Sequence, residues 1–282
     1  MSRIKSIIGI LLLSVLIFVG CAQKESISTS PQLEVSVIDV GQGDAIFIKT
    51  PDRKNILIDT GSKDEKDKLY SFLSSKDIKN IDILVGTHPH EDHIGNMPSV
   101  IKDFTIGKVY MPKVTHTSKT FKDTMSSIRE KSLKITSPKS SEILNLGDVK
   151  IEFIAPNSKS YKDLNNYSIV VKLTYGRNSF MLMGDAEKYS EKEIISKGYQ
   201  LKSDVIKLGH HGSFSSSSKK FIEKVNPKYA VVSCSKNNEY GHPHRETIKL
   251  LENLNISLIK TYESGTVTFI SDGKNINVNT KK

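Results

Sequence analysis

The chain is short of cysteine and aromatics and carries no internal punctuation. Of its 282 residues only Cys21 and Cys234 are cysteine, which excludes a disulfide-stapled fold; a body of this length can instead bury a substantial apolar core. Tryptophan is absent, and Phe and Tyr contribute ten residues each. They are scattered, so their pattern gives no stacking platform and no argument for single-stranded nucleic acid. No Pro/Gly-rich linker divides the body and no repeat of solenoid length occurs, which excludes a modular array.

The first residues are different. In "MSRIKSIIGILLLSVLIFVGCAQKE", Arg3 and Lys5 precede an apolar run from Ile7 to Phe18, followed by Gly20, Cys21 and a polar continuation. This is the layout of a secretory signal, too short for a good membrane span. The tetrapeptide "FVGC" resembles the lipobox of bacterial lipoproteins, with Phe18 where Leu is usual. On that reading residues 1–20 are a signal peptide and Cys21 carries the lipid. Residues 21–32, polar and Ser-rich, form a tether, and residues 33–282 are the working domain. A retained helical anchor is the rival reading, and both put an extracytoplasmic domain on a membrane, at the cell surface. Cys234, in "YAVVSCS", then has no disulfide partner and reads as a small buried hydrophobe.

Net charge is +10 and stays strongly positive without Arg3 and Lys5. That favours polyanions such as nucleic acid or an anionic surface, although lysines spread along a chain also describe an ordinary solvated face. Short β-branched runs, "LEVSVIDV", "DAIFIKT" and "KNILIDTG", predict a three-strand meander. "KDKLYSFLSS" has helical spacing and "IDILVGTH" is a further strand. Strands are expected at "GKVYMP", "VKIEFIAP", "YSIVVKLTYG", "SFMLMGD", "DVIKLGHHG", "KYAVVSCS" and "SLIKTYESGTVTFIS". Helices are expected over 119–131, in "KYSEKEIISKG", and near 216–225 and 244–254. The alternation predicts one α/β domain with two mixed sheets.

Chemistry concentrates in "THPHEDHIGN", residues 87–96. In an extended segment His88 and His90 point to one side, and Asp92 and His93 follow where the chain turns, with Gly95 easing the bend. Imidazoles and carboxylates converging at a strand end suit a metal ion. "FMLMGDAE" delivers Asp185 in the same way, "DVIKLGHHGS" delivers His210 and His211, and "NNEYGHPH" delivers His242 and His244. Taken singly, Asp185 reads as a helix cap and His242 as a turn residue; together these stretches put seven of the eight histidines at strand ends.

"THPHEDHIGN" matches the H-x-H-x-D-H signature of the metallo-β-lactamase-fold hydrolases. The ordered series "VIDVGQGDAIFI", "NILIDTG", "NYSIVVKL", "FMLMGD", "DVIKLGHHGS" and "YGHPH" resembles the metallo-hydrolase domain of the ComEC family of competence proteins, from about Leu33 to Ile270. The resemblance covers that domain and not the membrane channel region of those proteins, so the chain is expected to be a stand-alone, membrane-tethered relative. The resemblance implies an α/β four-layered αβ/βα sandwich holding two divalent ions, Zn or Mn. His88 and His90 would hold the first ion, Asp92 and His93 the second, and Asp185 would bridge. His210 is the preferred further ligand, with His211 beside it as a supporting or substrate-facing group and the reverse assignment open. Asp59, in "LIDTG", would orient the metal loop. The broader fold uses one more histidine before the bridging aspartate; the sole candidate here is His116, and ComEC-like members show an Asn/Ser motif instead, here Asn165, Asn166 and Ser168.

The implied reaction is phosphodiester hydrolysis by a metal-activated water, with DNA as substrate. Asp92, His211 and His242 are the candidate catalytic groups, and Ser213, His244, Asn166 and Ser168 the candidate substrate contacts. "GSFSSSSKK" offers a helix N-terminus suited to phosphate, or an ordinary cap. Other substrates compatible with the fold are a small or cell-envelope phosphodiester, as in phosphorylcholine esterases, and a β-lactam. A non-enzymatic DNA-binding surface lipoprotein is the alternative of a different class.

Overall fold

A computed structural model describes residues 31–281. The expected signal peptide 1–20, the lipidated Cys21 and all but the end of the tether lie outside the described residues.

β1 (Leu33–Val37), β2 (Ile46–Lys49) and β3 (Asn55–Ile58) form the antiparallel meander. After α1 (Lys66–Ser75) the pairing turns parallel: β4 (Asn80–Val85) lies beside β3, and α2 (Glu91–Ile94), α3 (Met97–Asp103), β5 (Thr105–Tyr110), α4 (Lys119–Glu130) and β6 (Ile135–Thr136) continue it. The second half repeats the plan. β7 (Glu142–Leu146), β8 (Val149–Ala155), β9 (Val170–Tyr175) and β10 (Asn178–Leu182) are antiparallel. Then α5 (Lys188–Ser196), β11 (Val205–Lys207), α6 (Lys219–Val225), β12 (Tyr229–Val232), α7 (Arg245–Asn253) and β13 (Ser257–Lys260) build parallel pairs. After α8 (Thr261–Ser264) the chain returns to the first sheet as β14 (Thr266–Ser271), paired with β1, and β15 (Ile276–Lys281). The sheet orders are β15-β14-β1-β2-β3-β4-β5-β6 and β13-β12-β11-β10-β9-β8-β7.

Three apolar layers explain the stacking. Val35, Ile48 and Ile56 of the first sheet meet Phe153 and Phe180 of the second in a shared core. Phe47, Leu57 and Leu84 face outward onto Leu69, Val100 and Ile128 of the first helix layer. Met181, Ile206 and Ala230 face Ile194, Phe221 and Leu251 of the second. Central strands are therefore buried on both faces, which is why they read as unbroken apolar runs. The result is the expected four-layered αβ/βα sandwich.

Each sheet changes from antiparallel to parallel once, at β3/β4 and at β10/β11. Because β3/β4 and β10/β11 are parallel pairs, both strands of each pair end at the same edge of their sheet. Asp59, Thr87, His88, Asp185, His210 and His211 all follow those four strands.

Two expectations are corrected. "SLIKTYESGTVTFIS" is two strands in different sheets, because α8 and Gly265, at φ +69°, turn the chain between them. The serine run after His211 does not offer a free helix N-terminus. Helix α6 begins only at Lys219, and the N–H groups of Ser217 and Ser218 donate to the Glu191 carboxylate at 2.5 and 2.9 Å. An internal carboxylate already occupies the place proposed for phosphate.

Burial pushes the Glu191 carboxyl up to about 7, against the pull of those donors. A group raised in this way holds its proton in the folded state where the unfolded chain has lost it. Its contribution is therefore full below the unfolded value of 4.5 and is lost as pH rises through about 7. Urea unfolding is expected to show the wild type losing up to about 3 kcal/mol relative to Glu191→Gln between pH 5 and pH 8. Parallel pH profiles for the two proteins would contradict this.

Candidate metal centre

The Asp59 carboxylate ties three segments together. Its Oδ1 accepts the Thr87 N–H at 2.7 Å; its Oδ2 accepts the Thr87 hydroxyl at 2.7 Å and the His93 Nδ1–H at 2.8 Å. The His93 carbonyl in turn accepts the Thr60 N–H at 2.7 Å. The end of β3 thus fixes both the end of β4 and the short helix α2. The Gly-Gln-Gly loop after β1 clamps α2 from the other side. Asp44 N–H donates to the Asp92 carbonyl, and a Cβ on Gly43 would sit 2.2 Å from that oxygen.

Three imidazoles have their Nδ1 engaged by the protein. His93 donates to Asp59, and His211 donates to the Ser233 carbonyl at 2.8 Å. The Thr87 hydroxyl, whose proton is committed to Asp59, accepts from His88 Nδ1 at 3.1 Å. Each Nε2 turns towards Asp185, at 3.3 Å from Oδ1 for His93, and at 3.9 and 3.5 Å from Oδ2 for His88 and His211, while His211 Nε2 lies closer still to Asp92 Oδ2, at 3.1 Å, and His88 Nε2 to His90 Nδ1, at 3.0 Å. Such outer bonds select the tautomer and aim the lone pair of a metal-binding histidine.

Ligand atoms of Asp92, His93, Asp185 and His211 all lie within 4.8 Å of one another. His93 Nε2 and Asp185 Oδ1 are enclosed without a hydrogen-bond partner, an arrangement that costs free energy unless something fills it. Two imidazoles and two carboxylates at this spacing fit a divalent cation. His88 and His90, 3.0 Å apart, form a second group beside the same Asp185. The His116 ring lies 6.4 Å from that of His90, with an enclosed, unpartnered Nδ1.

His211, rather than the preferred His210, enters the four-residue group. Both sit at positive φ, 46° and 51°, in the tight Gly-His-His-Gly turn, which sends them in different directions. His210 Nδ1 is engaged by Glu187 and Ser215 at 3.2 and 3.1 Å, and its Nε2 is 4.0 Å from Asp185. Asn166 and Ser168, expected to touch substrate, are buried supports. Asn166 ties Glu187 and Ser190, and the Ser168 hydroxyl accepts the Asp185 N–H at 3.0 Å. Ser213 is likewise buried, bonded to Ser215. His242 and Asp92 line a cleft of about 340 Å³ over Asp185, and His244 stands behind His242.

Burial alone would raise Asp185 and Asp92, but His211 and His93 outweigh it and hold both well below the usual carboxylate range. Conversely, burial works to lower His93 and His211, and the carboxylates around them pull both above the ordinary imidazole range. Protons thus stand where a cation fits. Their stabilising effect is full below about 6.5 and is lost as pH rises through the raised values.

Lys207 and Asp44 are not among the residues expected at the site. They form a fully buried ion pair, each 1% exposed, with Asp44 Oδ1 3.6 Å from His211 Nδ1. Burial pushes the Asp44 carboxyl up, while Lys207, His211 and His93 pull it back. The signal was Lys207's place inside an apolar strand, where only a paired lysine is tolerated.

A four-layered sandwich with a histidine–aspartate cluster at the junctions of both sheets defines a metallohydrolase-type scaffold. The chain belongs to the metallo-β-lactamase superfamily, which residues 38–236 match. It is 33% identical over 257 residues to ComE operon protein 3 of Bacillus subtilis (strain 168), covering 85% of this chain and 33% of that protein. Over 237 residues it is 29% identical to Competence protein ComA of Neisseria gonorrhoeae, covering 83% of this chain and 32% of that one. The chain spans about a third of the length of these relatives. Among solved structures it is similar in fold to the metallo-β-lactamase fold protein YhfI from Bacillus subtilis, with a TM-score of 0.57 at 13% identity, covering 86% of this chain and 100% of that one.

Two outcomes are expected. Lys207→Met strands Asp44 without its partner and lowers unfolding free energy by about 3–5 kcal/mol, of which Asp44→Asn added to it restores more than half; a single variant within about 1 kcal/mol of wild type contradicts the pairing. In calorimetric titration with Mn²⁺ or Zn²⁺, binding releases protons and tightens as pH rises from 6 to 8.5, because the cation displaces protons from His93 and His211. A pH-independent affinity contradicts that assignment.

Proposed function

We propose that this chain is a metal-dependent phosphodiesterase that degrades DNA outside the cytoplasm, held at the membrane by a lipid on Cys21. The observation that carries the reading is the group Asp92, His93, Asp185 and His211, in which His93 Nε2 and Asp185 Oδ1 are enclosed without a hydrogen-bond partner. These four would hold one divalent ion, zinc or manganese. His88 and His90, with Asp185 between, would hold a second. Bound there, the ions supply Lewis acidity towards phosphoryl oxygens and acidify water at neutral pH.

The protein's own groups do the rest. Asp92, with its side chain 31% exposed, is the acidic member of the group that opens to the cleft; held well below the usual carboxylate range by His93 and His211, it orients the incoming nucleophile by accepting its hydrogen bond. His242 is held down to about 4, first by burial and then by the charges of His211 and His210. In the free site at pH 7 it is neutral, and offers a phosphoryl oxygen a hydrogen bond rather than a proton. The excess of basic residues and the likeness to two competence proteins support DNA as the phosphodiester.

Leaderless protein with Mn²⁺ or Zn²⁺ is expected to degrade DNA in an EDTA-sensitive reaction, slowed at least about a hundredfold by Asp92→Ala or Asp185→Asn. DNA left intact at high enzyme concentration overturns the reading. If bis-p-nitrophenyl phosphate is still turned over, the substrate becomes a small phosphodiester.

A further inference from the structure

Two of the most exposed large hydrophobic residues, Tyr240 and Phe214, are 57% and 58% accessible and belong to none of the three cores. They are the ends of one row of rings. Tyr240 stacks on His242 with centroids 5.6 Å apart and planes at 23°. At one end, Tyr240 and His242 line the cleft that holds Asp92, Asp185 and His211. At the other, Phe214 lines a neighbouring hollow of about 400 Å³ with Ser217, Lys188, Lys219 and Glu246.

The row is built rigidly. Asn238 accepts the His242 N–H at 2.8 Å and donates to the His242 carbonyl at 2.6 Å. His244 Nδ1 accepts the Phe214 N–H at 3.1 Å, and the His244 N–H donates to Gly212. Gly212 packs so closely on Pro243 that a Cβ there would come within 2.7 Å. The two segments, some thirty positions apart in sequence, are thereby locked side by side. The fold thus fixes a row of rings, stacked at the Tyr240 end and edge-on at 77° and 64° beyond His242, leaves its end members in water, and places Lys188 and Lys219, the latter 3.7 Å from Glu223, at its far end.

We propose that the row Tyr240–His242–His244–Phe214 is a base-stacking track for single-stranded DNA, leading the strand between the metal cleft and the Lys188/Lys219 hollow. Unpaired bases offer π-faces to Tyr240 and Phe214 whatever their identity, and a backbone phosphate meets the lysines. In a duplex those faces are covered by neighbouring bases, so the track selects single strands. The role assigned to the cleft end rests on the phosphodiesterase reading, whereas binding along the rings does not require turnover.

The test is fluorescence anisotropy of a labelled oligothymidylate of about 12 nucleotides with the full domain in EDTA, where no cleavage intervenes. Tyr240→Ala and Phe214→Ala are each expected to raise Kd about tenfold, while Tyr240→Phe and Phe214→Tyr stay within about twofold. A duplex of equal length competes more weakly than the single strand. Both alanine variants are exposed, and circular dichroism melts establish that they fold. Wild-type affinity in both alanine variants, equal competition by duplex, or no binding by the wild type overturns the track. Any of these with DNA degradation intact leaves the phosphodiesterase reading standing. Ring-dependent binding of DNA that is never cut overturns the nuclease reading alone.

Discussion

One carboxylate holds the centre in shape. Asp59 accepts from the Thr87 N–H, the Thr87 hydroxyl and His93 Nδ1, so the ends of β3 and β4 and the helix α2 cannot move independently. It occupies a left-handed backbone position, φ +59°, a conformation that aspartate tolerates better than most residues. Through Thr87 the same constraint reaches His88, and through His93 it reaches Asp185. The other imidazole of the four-residue group is fixed by the second half of the chain, where Ser233 accepts from His211 Nδ1 and its hydroxyl donates to the Gly43 carbonyl at 2.7 Å.

The two halves therefore meet at the site rather than merely packing around it. Each contributes a junction between antiparallel and parallel strands, and each delivers its ligands just past an apolar strand that has no freedom to shift register. Asp185 stands between imidazoles from both halves. Lys207 and Asp44 place a buried positive and a buried negative charge beneath them. The concentration of carboxylates is tolerable because protons on His93 and His211, or a cation in their place, share the charge.

Much of this was legible in the chain. The meander, the helix over 66–75 and the strand before Thr87 follow from simple periodicity, and the spacing of His88 and His90 put them on one side, where they meet at 3.0 Å. What escaped was everything that depends on long-range pairing. Asp44 and Lys207 are separated by 163 positions, and neither carries a local signal of its partner. His210 and His211 are adjacent, and only the positive φ of both decides which one faces Asp185. Strand β15, at an edge, carries only the short alternation of Ile276 and Val278 with asparagines, and it is not among the strands expected. The serine run looked like a phosphate cradle because Glu191, the carboxylate that fills it, lies in a different helix.

The most direct test of the account is anomalous diffraction from crystals of the domain soaked with Mn²⁺. The account predicts a cation peak enclosed by Asp92, His93, Asp185 and His211, with any second peak beside His88 and His90. No peak at the four-residue group under conditions of full soaking, or a cation held elsewhere while those side chains remain apart, would contradict it.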